Sequence, residues 1–211
     1  MIHTRILNTQ DPEAISSAFE IIKSGGTIAF PTDTVYGLAV DPFNPQAINR
    51  IYAIKERSME KAIPILIGDF EQLGNLVSEI NETAKILAQN FWPGPLTLVV
   101  PRRRESGLSE LVSAGLETVA LRVPAHEGAR ALLKAARRPL AAPSANRSGR
   151  VSPTTARHVA EELGDAVALI LDGGPCRVGL ESTIVDVSGD APVLLRPGGV
   201  PREALEAVLD R

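Results

Sequence analysis

The run Thr27-Ile28-Ala29-Phe30 leads straight into Pro31-Thr32-Asp33-Thr34-Val35-Tyr36-Gly37. An apolar strand therefore ends in a turn that carries two hydroxyls, a carboxylate and a phenol. Pro31 has no N–H for a sheet ladder and marks the strand's end. Gly37 lets the chain double back or approach a ligand closely. Strand ends dense in hydrogen-bonding side chains are where α/β proteins place ligands. The same residues also fit a self-satisfied turn with Thr32 and Asp33 as local caps, so the rest of the chain has to decide.

That rest alternates helical and strand patterns. Asp11-Pro12-Glu13 has the form of a helix start, with Asp11 as N-cap and Pro12 at the first helical position. Ser24-Gly25-Gly26 ends that helix. Helical spacing is predicted over 44–55, 81–92, 124–137, 201–209 and from Ser152-Pro153 to Leu163, with Ser152 read as an N-cap. Strands are predicted at 27–30, 63–67, 96–100, 118–123, 140–142, 167–171, 183–187 and 193–195. The rhythm is not strictly βαβ and several strands are close neighbours. This argues an α/β or α+β domain with a mixed sheet. The polar stretches 55–62 and 102–117 are read as the mobile ones.

The 211 residues, 44% of them hydrophobic, suffice for one sizeable core, which 4% aromatics leave to Val, Leu, Ile and Ala. A net charge of −3 argues against life as a non-specific nucleic-acid binder. Among the cations, 17 Arg stand against 5 Lys, which suits planar contacts to phosphate or carboxylate. Cys176 is the single cysteine and the three His are scattered, so no cysteine cluster or zinc motif is expected. No signal-like or 18-residue apolar stretch occurs, and the cytoplasm is the expected location, without a membrane partner.

Five constellations bear chemistry. Lys55-Glu56-Arg57-Ser58-Met59-Glu60-Lys61 sets three cations beside a helix end, fit for a polyphosphate or for a salt-bridged turn. It is not a Walker A loop. Pro143-Ser144-Ala145-Asn146-Arg147-Ser148-Gly149 follows a short strand with the hydroxyls and N–H groups that suit a nucleotide. Gly179-Leu180-Glu181-Ser182-Thr183 puts a hydroxyl pair at a strand mouth, and Leu195-Arg196-Pro197-Gly198-Gly199 ends a strand on an arginine. Arg122 lies between Leu121 and Val123 inside an apolar strand, so it must be paired, by a protein carboxylate or a ligand's. No nucleophile–base pair and no dense acidic metal site is visible. That favours a reaction driven by positioning and charge neutralisation, as in nucleotidyl transfer.

Together these segments resemble the YrdC-type threonylcarbamoyl-AMP synthases. The matching pieces are PTDTVYGL (31–38), Lys55-x-Arg57 with Lys61, FWPGPLTLV (91–99), ALRVPAH (120–126), APSANRSG (142–149), Ser152-Pro153, ESTIVD (181–186) and LRPGG (195–199). They cover about 12–205 in the family's order. The resemblance implies the short form, residues 1–211 as a single catalytic domain, a twisted α/β sheet with flanking helices enclosing a deep, positively lined cavity. It also implies a nucleotidyltransferase that joins L-threonine, bicarbonate and ATP into threonylcarbamoyl-adenylate and pyrophosphate. Downstream proteins then transfer the group to tRNA.

By that resemblance Lys55 and Arg57 are the catalytic cations and, with Lys61, grip the triphosphate. Thr34, Arg122, Ala142 and Ser182 bind threonine, with Arg122 on its carboxylate. Thr118, Ser144, Asn146, Ser152 and Arg196 hold the nucleotide, and Tyr36 closes the pocket wall. Mg²⁺ is the implied cofactor and arrives with ATP, keeping its waters. A competing reading is an RNA-binding or ribosome-assembly factor, supported by Arg102-Arg103-Arg104 and opposed by the acidic balance and few aromatics. A carbamoyl-phosphate-using domain is a third, opposed by the lone cysteine.

Overall fold

The computed structural model describes residues 4–210. The first half of the chain runs through β1 (Arg5–Asn8), α1 (Ala14–Lys23), β2 (Ile28–Phe30), β3 (Gly37–Ala39), α2 (Pro45–Lys55), β4 (Ile65–Leu66), α3 (Glu82–Phe91) and β5 (Leu96–Pro101). The second half adds α4 (Glu110–Ser113), β6 (Thr118–Arg122), α5 (Glu127–Ala136), β7 (Leu140–Ala141), α6 (Ala156–Leu163), β8 (Leu169–Asp172), β9 (Thr183–Asp186), β10 (Val193–Arg196) and α7 (Arg202–Val208).

Strands β1-β8-β2-β3 form one mixed sheet, and β10-β9-β5-β6-β4-β7 form a second. Their edges meet. Leu38 N–H donates to Pro143 O, and Val40 and Ala141 exchange both backbone bonds, so β3 and β7 stitch the sheets together. The polar turn after β2 and the loop after β7 therefore come side by side, and this places the site.

Periodicity explains the layers. Ala14, Ala18 and Ile22 of α1 pack with Ala129, Leu132 and Leu133 of α5 against Ile28, Phe30, Leu169 and Leu171. On the other side Ala47, Ile48 and Ile51 of α2 join Leu38, Val40 and Ile65, continuous with Leu87 of α3 and Leu98 of β5. Each fully buried Leu or Ile contributes about 1.5–3 kcal/mol, so an aliphatic core replaces the missing aromatics.

Several boundaries differ from expectation. Asp11 does not cap a helix: its carboxylate accepts from Asn8 N–H, and α1 starts at Ala14. Nor does Ser152 cap α6, which starts at Ala156 behind Thr155, whose hydroxyl accepts from His158 N–H. His126 is not inside a helix but caps α5 through Nδ1, which accepts from Gly128 N–H. β1 and β3 are not among the expected strands, and the 102–117 stretch contains α4. The helices expected from about 44 and 81 are capped by Asn44 and Asn81, each side chain accepting from the helix's first turn.

Candidate active site

A cavity of about 370 Å³ opens where the two sheets meet. Arg57, Arg122 and Arg196 all line it, from the end of α2, from β6 and from β10.

Arg122 is buried at the end of β6. Its Nη2 donates to Asp33 Oδ1 at 2.5 Å, its Nη1 to Thr34 Oγ1 at 2.8 Å, and its Nε to Gly94 O at 2.9 Å. The charge inside an apolar strand is thus answered by the polar turn noticed first in the sequence. Three of the five guanidinium N–H groups have protein partners, and two remain on a group that faces the cavity. Asp33 Oδ1 also accepts from Ala125 N–H, and its Oδ2 is buried without a protein partner. Thr32 braces the turn: its hydroxyl donates to Val35 O at 2.6 Å and lies 3.0 Å from Thr34 Oγ1. The local-cap reading of this turn is realised by Thr32, while Thr34 and Arg122 border the cavity.

Opposite, Arg196 donates from Nε and Nη2 to Ser182 O at 3.1 and 2.7 Å. The Ser182 hydroxyl lies 2.7 Å from Thr97 Oγ1. Gly198 makes this possible. A Cβ there would stand 2.6 Å from both Ser182 C and Thr183 N. Arg57 donates from Nη2 to Ala62 O at 2.8 Å, holding the end of the 55–62 loop. Burial lowers the proton affinity of all three guanidiniums. Repulsion from Arg57 lowers that of Arg196 further, and repulsion from Arg196 that of Arg122. Arginine stays protonated regardless, so the three guanidiniums repel one another across a cavity that Glu181 and Asp186 also line, and an anionic ligand would relieve that repulsion.

Of the residues singled out in the sequence, Thr34, Arg57, Thr118, Arg122, Ala142, Ser144, Ser182 and Arg196 line this cavity together. Others lie elsewhere. Lys55 is buried at the end of α2, and its ammonium donates to Ser144 O and Asn146 O, both at 2.5 Å. Burial, then the Arg57 charge, pulls its pKa down to about 8. Lys55 therefore pins the loop after β7 instead of presenting its charge to the cavity. Lys61 is exposed, and its backbone carbonyl accepts from Tyr52 and Arg57. Asn146 is buried and donates to Arg147 O and Arg150 O, both at 2.8 Å. Tyr36 does not form the cavity wall. Its hydroxyl donates to Gly174 O at 2.8 Å behind it, and burial raises its pKa. Ser152 donates to Glu181 Oε1 at 2.5 Å, and Glu181 is a cavity residue.

Sequence reasoning assigned nothing to Glu181 or Thr97. Glu181 had a signal, a charge directly before a hydroxyl pair at a strand mouth. Thr97, inside an apolar strand, had none.

The arginine triplet is not part of the cavity lining. Arg104 is paired with Glu117 by two bonds of 3.0 and 3.1 Å, and Arg102 lies 4.0 Å from Glu110.

A family model named for Sua5, YciO and YrdC, described as telomere recombination, matches residues 20–198. The chain belongs to the Sua5/YciO/YrdC family. The threonylcarbamoyl-AMP synthase of Pyrococcus abyssi is 48% identical over 195 residues, 92% of this chain and 57% of that protein. The enzyme of the same name from Bacillus subtilis is 46% identical over 203 residues, 96% of this chain and 58% of its own length. The structure of P. abyssi Sua5 complexed with L-threonine superposes with a TM-score of 0.91 at 45% identity, covering 99% of this chain and 61% of the other. This Sua5/YciO/YrdC chain thus spans somewhat over half the length of these relatives. The mixed α/β architecture expected from the sequence is the one these structures share. Among the described residues no helix is long and apolar enough to cross a membrane.

Proposed function

We propose that this chain makes L-threonylcarbamoyl-adenylate and pyrophosphate from L-threonine, bicarbonate and ATP. The observation that carries this reading is the shared cavity in which Arg122, Thr34 and Ser182 face Arg57 and Arg196. That arrangement offers a carboxylate-and-hydroxyl site beside an anion site. A relative 45% identical in sequence has been solved with L-threonine, which supports the first half of the pair.

In this reading the two remaining N–H groups of Arg122 take the threonine carboxylate, and Thr34 and Ser182 take its polar groups. Condensation of the threonine amine with bicarbonate, with loss of water, gives a carbamate. A carbamate oxygen then forms a bond to the α-phosphorus while the bond to the β-phosphate oxygen breaks, and the electron pair leaves with pyrophosphate. Arg57 and Arg196 neutralise the phosphate charge that builds on the leaving group. Fixed donors in a partly enclosed site need little reorganisation as that charge develops.

Mg²⁺ enters as part of the MgATP substrate. Among the described residues no three His, Cys, Asp or Glu side chains gather into a metal cage, so no resident metal is assigned. Lys55 acts through the loop it pins, and Ser144 meets the nucleotide from that loop. The adenylate is the activated donor that downstream proteins use to modify tRNA.

The test is ATP consumption and pyrophosphate release by purified protein with Mg²⁺ and bicarbonate, with and without L-threonine, tracing threonine label into an adenylate. Adenylate formation dependent on threonine and bicarbonate is the expected result. Its absence in folded protein would remove the proposal.

A further inference from the structure

Two carboxylates are tied to the cavity's basic and hydroxyl groups, and they do different things. Asp33 is buried against Arg122, and that pair is part of the wall. Glu181 is only partly buried and borders the cavity itself. Its Oε1 accepts the Ser152 hydroxyl at 2.5 Å. That bond first, and the Arg196 charge as well, favours its ionised form, and Glu181 in turn is the main charge supporting protonated Arg196. No ion-pair contact within 4.0 Å joins Glu181 to Arg196, so the two attract across a gap.

Ser152 and Arg196 are also the groups assigned above, by resemblance, to the nucleotide. A carboxylate and a phosphate are alternative anionic acceptors for the Ser152 hydroxyl, and both are drawn to the Arg196 charge. Both cannot use Ser152 at once, and two anions side by side repel. The backbone around Glu181 is fixed: its carbonyl accepts from Gly199 N–H at 3.0 Å, and Ser182 is held by Arg196. Its side chain is anchored by the single bond to Ser152.

We propose that Glu181 is an internal counter-anion, holding the Ser152 hydroxyl and facing the Arg196 charge in the nucleotide-free chain and giving way there to the triphosphate. It weakens ATP binding in return for a site that stays charge-balanced when empty and that helps expel pyrophosphate. This rests on the adenylation reading above.

The experiment is isothermal titration of wild type, Glu181→Gln and Glu181→Ala with ATP and with inorganic tripolyphosphate, each with and without Mg²⁺. Thermal melts of the three proteins establish folding. Removing the competing charge-assisted bond is expected to tighten both ligands about tenfold in the variants, without Mg²⁺ as well as with it. L-threonine affinity is expected to stay unchanged. Unchanged or weaker binding of ATP by both folded variants overturns the inference. So does weakening confined to the Mg²⁺ titrations, which would make Glu181 a ligand of the metal-bound nucleotide. Wild type that binds neither ATP nor tripolyphosphate would overturn the adenylation reading, and this inference with it.

Discussion

Arg122 and Asp33, 89 positions apart in the chain, form an ion pair of 2.5 Å with both side chains at most 6% exposed. The pair fastens the turn after β2 to the end of β6. It also leaves two guanidinium N–H groups without a protein partner on a residue that lines the cavity. Removing one partner of a buried pair leaves the other charge stranded, at a cost of about 3–5 kcal/mol. Arg122→Ala is therefore expected to lower the melting temperature. Arg122→Lys keeps the charge but loses the planar fork, and is the better probe of function. Its KM for threonine should rise at least tenfold while its KM for ATP stays within about twofold. Steady-state kinetics with each substrate varied checks this, and equal effects on both would remove Arg122 from the threonine site.

Lys55 gives a pH-dependent signature. Its folded pKa of about 8 lies below the ordinary lysine value of 10.5. Below pH 8 the buried ammonium is charged in both states and its desolvation counts fully against folding. Between about 8 and 10.5 the unfolded chain binds more protons than the folded one, so stability rises with pH. The wild type is expected to gain up to about 3 kcal/mol on Lys55→Met across that window. Urea titrations of both proteins at pH 7.5, 9 and 10.5 check the sign. A constant difference would place an ordinary lysine there.

Lys55→Met should also impair activity through the loop it pins. Ser144 O and Asn146 O lose their donor, and each unsatisfied buried carbonyl costs about 1–3 kcal/mol. A rise in ATP KM together with faster amide exchange over residues 144–148 is the expected result. Lost activity with unchanged exchange would instead put the ammonium on the phosphates.

Gly198→Ala should perturb two substrates at once. The new Cβ would meet backbone atoms of residues 181–183, which cannot move aside as a flexible side chain can. Such overpacking typically costs about 1–3 kcal/mol. It would displace Ser182 and the Arg196 that holds it, so KM for both threonine and ATP is expected to rise. Kinetics near the wild-type values would show that the turn relaxes without moving Ser182.

Tyr36→Phe separates structure from chemistry in the same motif. The hydroxyl bonds Gly174 O and Asp172 outside the cavity. A loss of about 1–3 kcal/mol in stability with both KM values unchanged is expected. A KM change for either substrate in a protein of wild-type stability would return Tyr36 to the pocket wall.

Short-range chemistry makes much of this molecule legible in its sequence. The helices starting behind Asn44 and Asn81 follow from spacing and capping, which depend only on neighbours in the chain. That Arg122 needs a partner follows from the cost of a bare charge among Leu121 and Val123. Which partner it takes does not follow, because Asp33 reaches it only after β3 and β7 join the two sheets. The same holds for Ser152, whose local spacing suggests a cap and whose hydroxyl instead goes to Glu181, 29 positions away. Lys55 looks like a free phosphate ligand because its neighbours are charged and polar. Only the tertiary structure buries it under Ser144 and Asn146. Sequence by itself determined which groups carry charge and where most of the helices and strands lie, since those are properties of residues and near neighbours. Tertiary structure decided which charges neutralise one another and which remain for a ligand, since that depends on distances set by packing across the whole chain.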